Sequence, residues 1–216
     1  YEDSAAKLNT IADTTAVSAD QLQKQSREVS DDMTTDWNDV NEAMYQYISA
    51  TQDTVGASKA VEVAIMGQVG GFADSAEQVV DGLTSVGNAY NMHGADAMEE
   101  ISDKMLQTQN LGKTTLGEIS QYIGQVAPLA SQANISLDEL FGTIATLTGS
   151  GIQTSSVMSG LKATMSNIIK PTTEAAAAAE ALGIQFDAAA LSEKGLGGMM
   201  KEIKEKIESA SPEYAK

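Results

Sequence analysis

The chain has no cysteine, one histidine, one tryptophan, three prolines and thirteen basic residues. Without cysteine there is no disulfide framework and no thiolate metal site. A single histidine adds no zinc ligand set. The thirteen Lys and Arg stand against thirty Asp and Glu, a net charge of −17. Such a surface repels nucleic-acid phosphates and anionic lipid, so no direct nucleic-acid binding is expected. No apolar run approaches the roughly 20 residues that span a bilayer, and no membrane segment is expected. No secretory signal is visible. The chain opens on Tyr1, which reads as a segment of something longer.

What is present is 216 residues, 42% hydrophobic but only 5% aromatic, with eighteen glycines. That is enough chain for a real core in one or two domains. The glycines mark many element ends, and the alanine-rich balance fits an all-α protein. Residues 114–171 carry the clearest signals. Thr115 with Glu118, and Ser136 with Glu139, have capping-box spacing, a hydroxyl for an orphan N–H and a carboxylate reaching back. Behind them Ile119, Ile123 and Val126, then Leu137, Leu140, Ile144 and Leu147, recur at helical intervals. Gly149 and Gly151 break the second helix. Ser155 is placed to cap a third, which carries Leu161, Met165 and Ile168 before Pro171 interrupts it.

The same grammar extends along the chain. Residues 1–30 read as a polar helical lead-in, with Leu8 and Ile11 as apolar positions and Ser18 with Gln21 as another capping box. Residues 31–208 read as the main helical domain, and residues 209–216 as the start of a further segment at Ser211-Pro212. Helix-starting hydroxyls at Thr35, Ser75, Thr115 and Ser155 fall forty residues apart, with Ala43, Leu83, Ile123 and Ala163 as one apolar column behind them. A second set begins near Ser58, Asp96, Ser136 and Thr173, and Gly70-Gly71, Gly112 and Gly149 to Gly151 close its first three members. The expectation is a multi-helix array or bundle of antiparallel helix hairpins with a pseudo-repeat of about 40 residues. A stacked array and a closed bundle both remain open. Trp37, Met44, Tyr47 and Ile48 are expected to face Val61, Ile65, Met66 and Val69. Burying four such side chains is worth on the order of 6–12 kcal/mol before entropy. After Pro171, an alanine-rich helix runs to Gly183. A break at Gly195 to Gly198 precedes a last amphipathic helix with Met200, Ile203 and Ile207 on one face.

Chemistry is sparse. His93 sits between two helical patterns with no nucleophile or orienting carboxylate at a supporting spacing. Glu99, Glu100 and Asp103 read as a solvated helix face, and Asp31-Asp32 as cap and helix-dipole residues. No acidic stretch has calcium-loop spacing. Gly195 to Gly198 lacks the Lys-Ser/Thr of a phosphate loop. The ten methionines, at helical spacing, read as core filler. No catalytic, cofactor-binding or metal residue is expected, and no enzyme.

With these residues laid out, the chain resembles the core region of phage tail tape measure proteins, in the phage minor tail protein family. The resemblance is carried by Asn88-Ala89-Tyr90, Thr114-Thr115, Val126-Ala127-Pro128, Ser136 to Leu140 and Gly151-Ile152, in that order. It covers residues 72–208 well and 10–71 more loosely, with Trp37 and Tyr45 to Tyr47 departing from the small-residue pattern. It implies a structural protein that sets tail length and scaffolds tail tube assembly. The implied location is the virion tail, and the bacterial host cytoplasm during assembly. The implied partners are tail tube and tail assembly proteins, with possible self-association; no cofactor is implied. The alternative is a helical-repeat adaptor that binds a protein partner along one face.

Overall fold

Helices start where the sequence offers an oxygen to an orphan N–H. In the computed structural model, which describes residues 2–11 and 16–210, Ser18 accepts from the Gln21 N–H while the Gln21 side chain accepts from the Ser18 N–H, a complete capping box. Asp36, Ser75, Thr115, Ser136, Thr172 and Asp187 cap with their side-chain oxygens in the same way. Among the described residues twelve helices result and no strand. They are α1 (Glu2–Ile11), α2 (Ala19–Met33), α3 (Trp37–Thr51), α4 (Ala57–Gly71), α5 (Ala76–Tyr90), α6 (Ala95–Leu111), α7 (Leu116–Ile123), α8 (Ala127–Gln132), α9 (Leu137–Gly149), α10 (Thr154–Ile169), α11 (Thr173–Ala181) and α12 (Ala188–Ser209).

Several starts differ from the sequence expectation. The helix expected from Thr35 is capped by Asp36, and the one expected from Ser155 begins behind Gln153. Those expected near Ser58 and Asp96 begin behind Gly56 and Gly94. Gly70 and Gly71 do not close α4; the helix runs through both, and Phe72 takes the left-handed C-cap position at φ 52°. The earlier start of α10 shifts the fourth member of the apolar column. Ala43, Leu83 and Ile123 are buried, but Ala163 is exposed and Leu161 lies inside. The helix expected at Ser211-Pro212 lies outside the described residues.

Helix packing decides between array and bundle. α1 packs on α3, α3 on α5, and α5 on α7 and α8, while α2 packs on α4, α4 on α6, and α6 on α9. From α1 to α5 each helix thus lies beside the one two places on, with α9 taking the place beside α6, so antiparallel hairpins stack as layers in two columns. α10 closes the first column against α7, α8 and α9, and α12 lies against α9 and α10. One contact skips a layer: the α7 residue Leu116 packs against Gly67 and Gly71 of α4. A single apolar core runs from Leu8 and Leu22 through Tyr47, Leu83, Ile119 and Leu140 to Met165 and Met199. The lead-in helices belong to that core, and residue 30 lies within α2.

The expected pairing of α3 with α4 holds in part. Met44, Tyr47, Ile48, Val61 and Ile65 are buried, but Met66 and Val69 are exposed. The buried face of α4 is drawn by small residues (Ala57, Ala60, Ala64, Gly67, Gly71), which let α3, α5 and α6 approach closely. Glu62, Met66 and Val69 lie on the opposite stripe. Trp37 is half-buried, with the Arg27 guanidinium 4.5 Å over its ring.

Candidate functional site

The residues expected to be chemically idle are found on the surface. His93 is exposed in the α5–α6 turn, with Nε2 3.0 Å from Asn91 Oδ1. Glu99, Glu100 and Asp103 lie on the outer face of α6, where Lys59 pairs with Asp96 and Glu99, and Lys104 with Glu100 and Asp138. The Asp96 hydrogen bond holds the Lys59 ammonium above the usual lysine range, and the same bond holds the Asp96 carboxyl below the carboxylate range. Asp31 and Asp32 stand in the last turn of α2, not at a helix start, and Asp36 is the cap that follows. No group of three His, Asp or Glu able to hold a metal occurs among the described residues. No described helix is long and apolar enough to cross a membrane.

What the structure adds is a set of ties between layers. At the edge formed by the α3–α4, α5–α6 and α8–α9 turns, Asn88 Nδ2 donates to the Ala50 carbonyl, Ser131 to Ala89, and the Tyr90 hydroxyl to Ile135 at 3.0 Å. At the opposite edge Gln78 donates to the Gly117 carbonyl and Gln109 to Gly70. Thr154 donates to Glu118 Oε2 at 2.7 Å, and its hydroxyl oxygen lies within hydrogen-bond reach of the Thr114 hydroxyl at 2.8 Å. Glu118 therefore reaches the next layer and not back to its own cap. Glu139 does likewise: its carboxylate accepts from the Gly197 N–H at 3.3 Å, beyond the kink that Gly195 makes in α12 at φ 70°. In the first layers a polar network ties α1, α2 and α3. Ser4 donates to Asn38, Asn41 to Ser4, Ser26 to Asn41, and the Trp37 indole to Ser26.

Two surface features stand unpartnered among the described residues. An apolar cleft of about 330 Å³ lies among α9, α10 and α12, lined by Leu147, Val157, Leu161, Leu196 and Met200. Along the turns that follow α4, α6 and α9, Phe72, Leu111 and Ile152 stand exposed, and Val69 is 76% exposed just before Phe72. Sequence reasoning placed Val69 in the core. The signal of this edge in the sequence was an apolar residue beside each of Gly71, Gly112 and Gly151.

A stack of helix hairpins tied layer to layer, with its distinctive features on the outside, defines the class: an all-α layered scaffold. The chain belongs to the phage-related minor tail protein family, whose model matches residues 23–216. It is also 26% identical over 144 residues to a protein described as a probable tape measure protein of Clostridium phage phiCD119. That match covers 65% of this chain and 15% of the relative's length. No solved structure matches it. Three of the five resemblance motifs lie at the layer ties, the stretch Ser136 to Leu140 through Asp138 and Glu139. Asn88, Ala89 and Tyr90 make all three contacts at the first edge, and Thr114 and Thr115 supply a tie and a cap at the second.

Proposed function

We propose that this chain is a segment of a tail tape measure protein, which sets tail length and scaffolds assembly of the tail tube. The observation that carries the reading is the match over 144 residues to a probable tape measure protein much longer than this chain. Its place is the virion tail, and the host cytoplasm while the tail assembles. Its partners are the tail tube and tail assembly proteins, and copies of itself. The role needs no catalytic residue, cofactor or metal. A net charge of −17 suits a molecule that shares a narrow lumen with DNA, because like charges keep the two apart.

The test is removal of one layer, residues 115–152, in frame in the parent phage, with tail lengths measured by electron microscopy. A chain measured as continuous helix shortens the tail by about 60 Å for these roughly forty residues. A chain measured as the folded stack shortens it by only about 10 Å, one interhelical spacing. Intact tails of unchanged length overturn the ruler role. The DNA prediction is checked by mobility shift: the purified chain leaves duplex DNA unshifted at physiological salt.

A further inference from the structure

The outer stripe of α4 is unlike the rest of the surface. Met66, Val69 and Phe72 are 56%, 76% and 75% exposed, and all lie in the C-terminal half of the helix or at its cap. The neighbouring layer continues the patch. Gln109 of α6 donates to the Gly70 carbonyl, which brings the end of α6 against the end of α4, and Leu111 there is 69% exposed. Isolated exposed apolar residues are ordinary, but four large ones converging on one edge mark an interaction surface.

The rim of this patch is acidic. Of the net seventeen negative charges, fourteen fall within residues 28–103, which hold fifteen carboxylates and one lysine. α2 packs on α4 and reaches it through two chain reversals, so its last turns, with Glu28, Asp31 and Asp32, come to the same end of the stack as Phe72, and Asp74 lies two residues past Phe72. Most cations of these columns are already engaged: Arg27 lies over the Trp37 ring, while Lys113, two residues past Leu111, makes no ion pair among the described residues. Lys24 pairs with Glu28, Lys59 with Asp96 and Glu99, and Lys104 with Glu100 and Asp138. Asp31, Asp32 and Asp74 make no ion pair among the described residues, and all three are exposed.

We infer that this edge of α4 and α6 docks a protein segment with large apolar anchors flanked by lysine or arginine. The apolar side chains supply the anchoring area, and the carboxylate rim selects and steers a cationic flank. A second copy of the chain fits poorly, because edge against edge brings two carboxylate rims together. The inference rests on the surface alone and stands apart from the tape measure reading.

The test uses the purified chain and two synthetic amphipathic helical peptides with the same leucine and phenylalanine stripe, one flanked by lysine and one by glutamate. Binding is followed by fluorescence anisotropy. The lysine peptide is expected to bind, more weakly as salt rises, and the glutamate peptide not to bind. Val69→Ser/Phe72→Ser weakens the lysine peptide roughly tenfold or more, as does Asp31→Asn/Asp32→Asn/Asp74→Asn. Val55→Ser, at the other end of α4 and 69% exposed, leaves binding unchanged. All substituted positions are exposed, and unchanged melting curves confirm that the variants fold. The inference is overturned if the lysine peptide fails to bind, if it binds either variant as well as the parent chain, or if the glutamate peptide binds equally. A dimer in sedimentation that disappears with Val69→Ser/Phe72→Ser also overturns it, by placing a second copy on the edge.

Discussion

Gly82 sits where α5 crosses α7, and a methyl group there would come 2.6 Å from the Cα of Ser120. The neighbour is backbone and cannot step aside, so Gly82→Ala is expected to cost about 1–3 kcal/mol by overpacking. Gly142, exposed in the middle of α9 with open space around it, is the opposite case. Gly142→Ala is expected to stabilise by about 0.5–1 kcal/mol, because alanine loses less backbone entropy in a helix. Urea denaturation of the two variants beside the parent chain checks both signs. Tyr47 makes a different argument. Its ring is buried, its hydroxyl donates to Asp53 Oδ2 at 2.8 Å, and Asp53 Oδ1 in turn accepts the Val55 and Gly56 N–H groups of the α3–α4 turn. Burial and the adjacent Asp53 carboxylate push the phenol well above the ordinary tyrosine range. A raised pKa in the folded state means the contribution is complete below about pH 10, the unfolded value, and is lost as the pH climbs past it. Tyr47→Phe is expected to cost about 1–2 kcal/mol at neutral pH and to flatten the alkaline limb of a stability–pH curve. Cap hydroxyls such as Thr115 and Ser136 were legible in the sequence because cap and N–H lie three residues apart. The destinations of Glu118 and Glu139 were not, because their partners, Thr154 and Gly197, lie in later elements.

α12 is one element only in name. Asp187 caps its first half by accepting the Ala190 N–H at 2.8 Å, and Glu139 sits at the start of its second half beyond Gly195. Asp187 is held below the ordinary carboxylate range, chiefly by the Ala190 hydrogen bond and then by Gln185. A lowered pKa gives stability that is present above the unfolded value near pH 3.9 and is lost as the pH falls through the lower, folded one. Asp187→Ala is expected to lower the melting temperature at neutral pH and to leave it nearly unchanged in acid, where the parent carboxylate is itself protonated. Thermal melts at pH 7 and pH 2 check this. Gly195→Ala would strain a left-handed position and press on the Glu139 carboxylate. Faster amide exchange confined to residues 188–209 is the expected readout. The glycine run at 195–198 signalled the break in sequence, but nothing local signalled its carboxylate. α4 shows the reverse limit. Large apolar residues suggested one face, whereas alanine and glycine, together with Val61, Val63 and Ile65, draw the buried one, because three neighbours press on it.

Stacking in two columns makes stability uneven along the chain. α5 packs on helices of the layers before and after it, while α11 buries only Ala179. Hydrogen exchange is expected to be slowest in α5 and α7 and fastest in α11 and the end of α12, since protection follows local burial. Helix content and most turns were legible because caps, glycines and periodic apolar residues are local. The choice of array over bundle was not, because it is written in ties such as Asn88 to Ala50 and Gln109 to Gly70, between residues nearly forty apart. Those ties have a mechanical meaning. With no disulfide to lock them, layers pulled from one end can let go in turn, each shedding its few hydrogen bonds before the next is loaded. A single molecule stretched between its ends is expected to yield in a sawtooth. Each tooth would release about forty residues, or ~130 Å of contour, so that the scaffold pays out like a folded rule and does not snap like a rod.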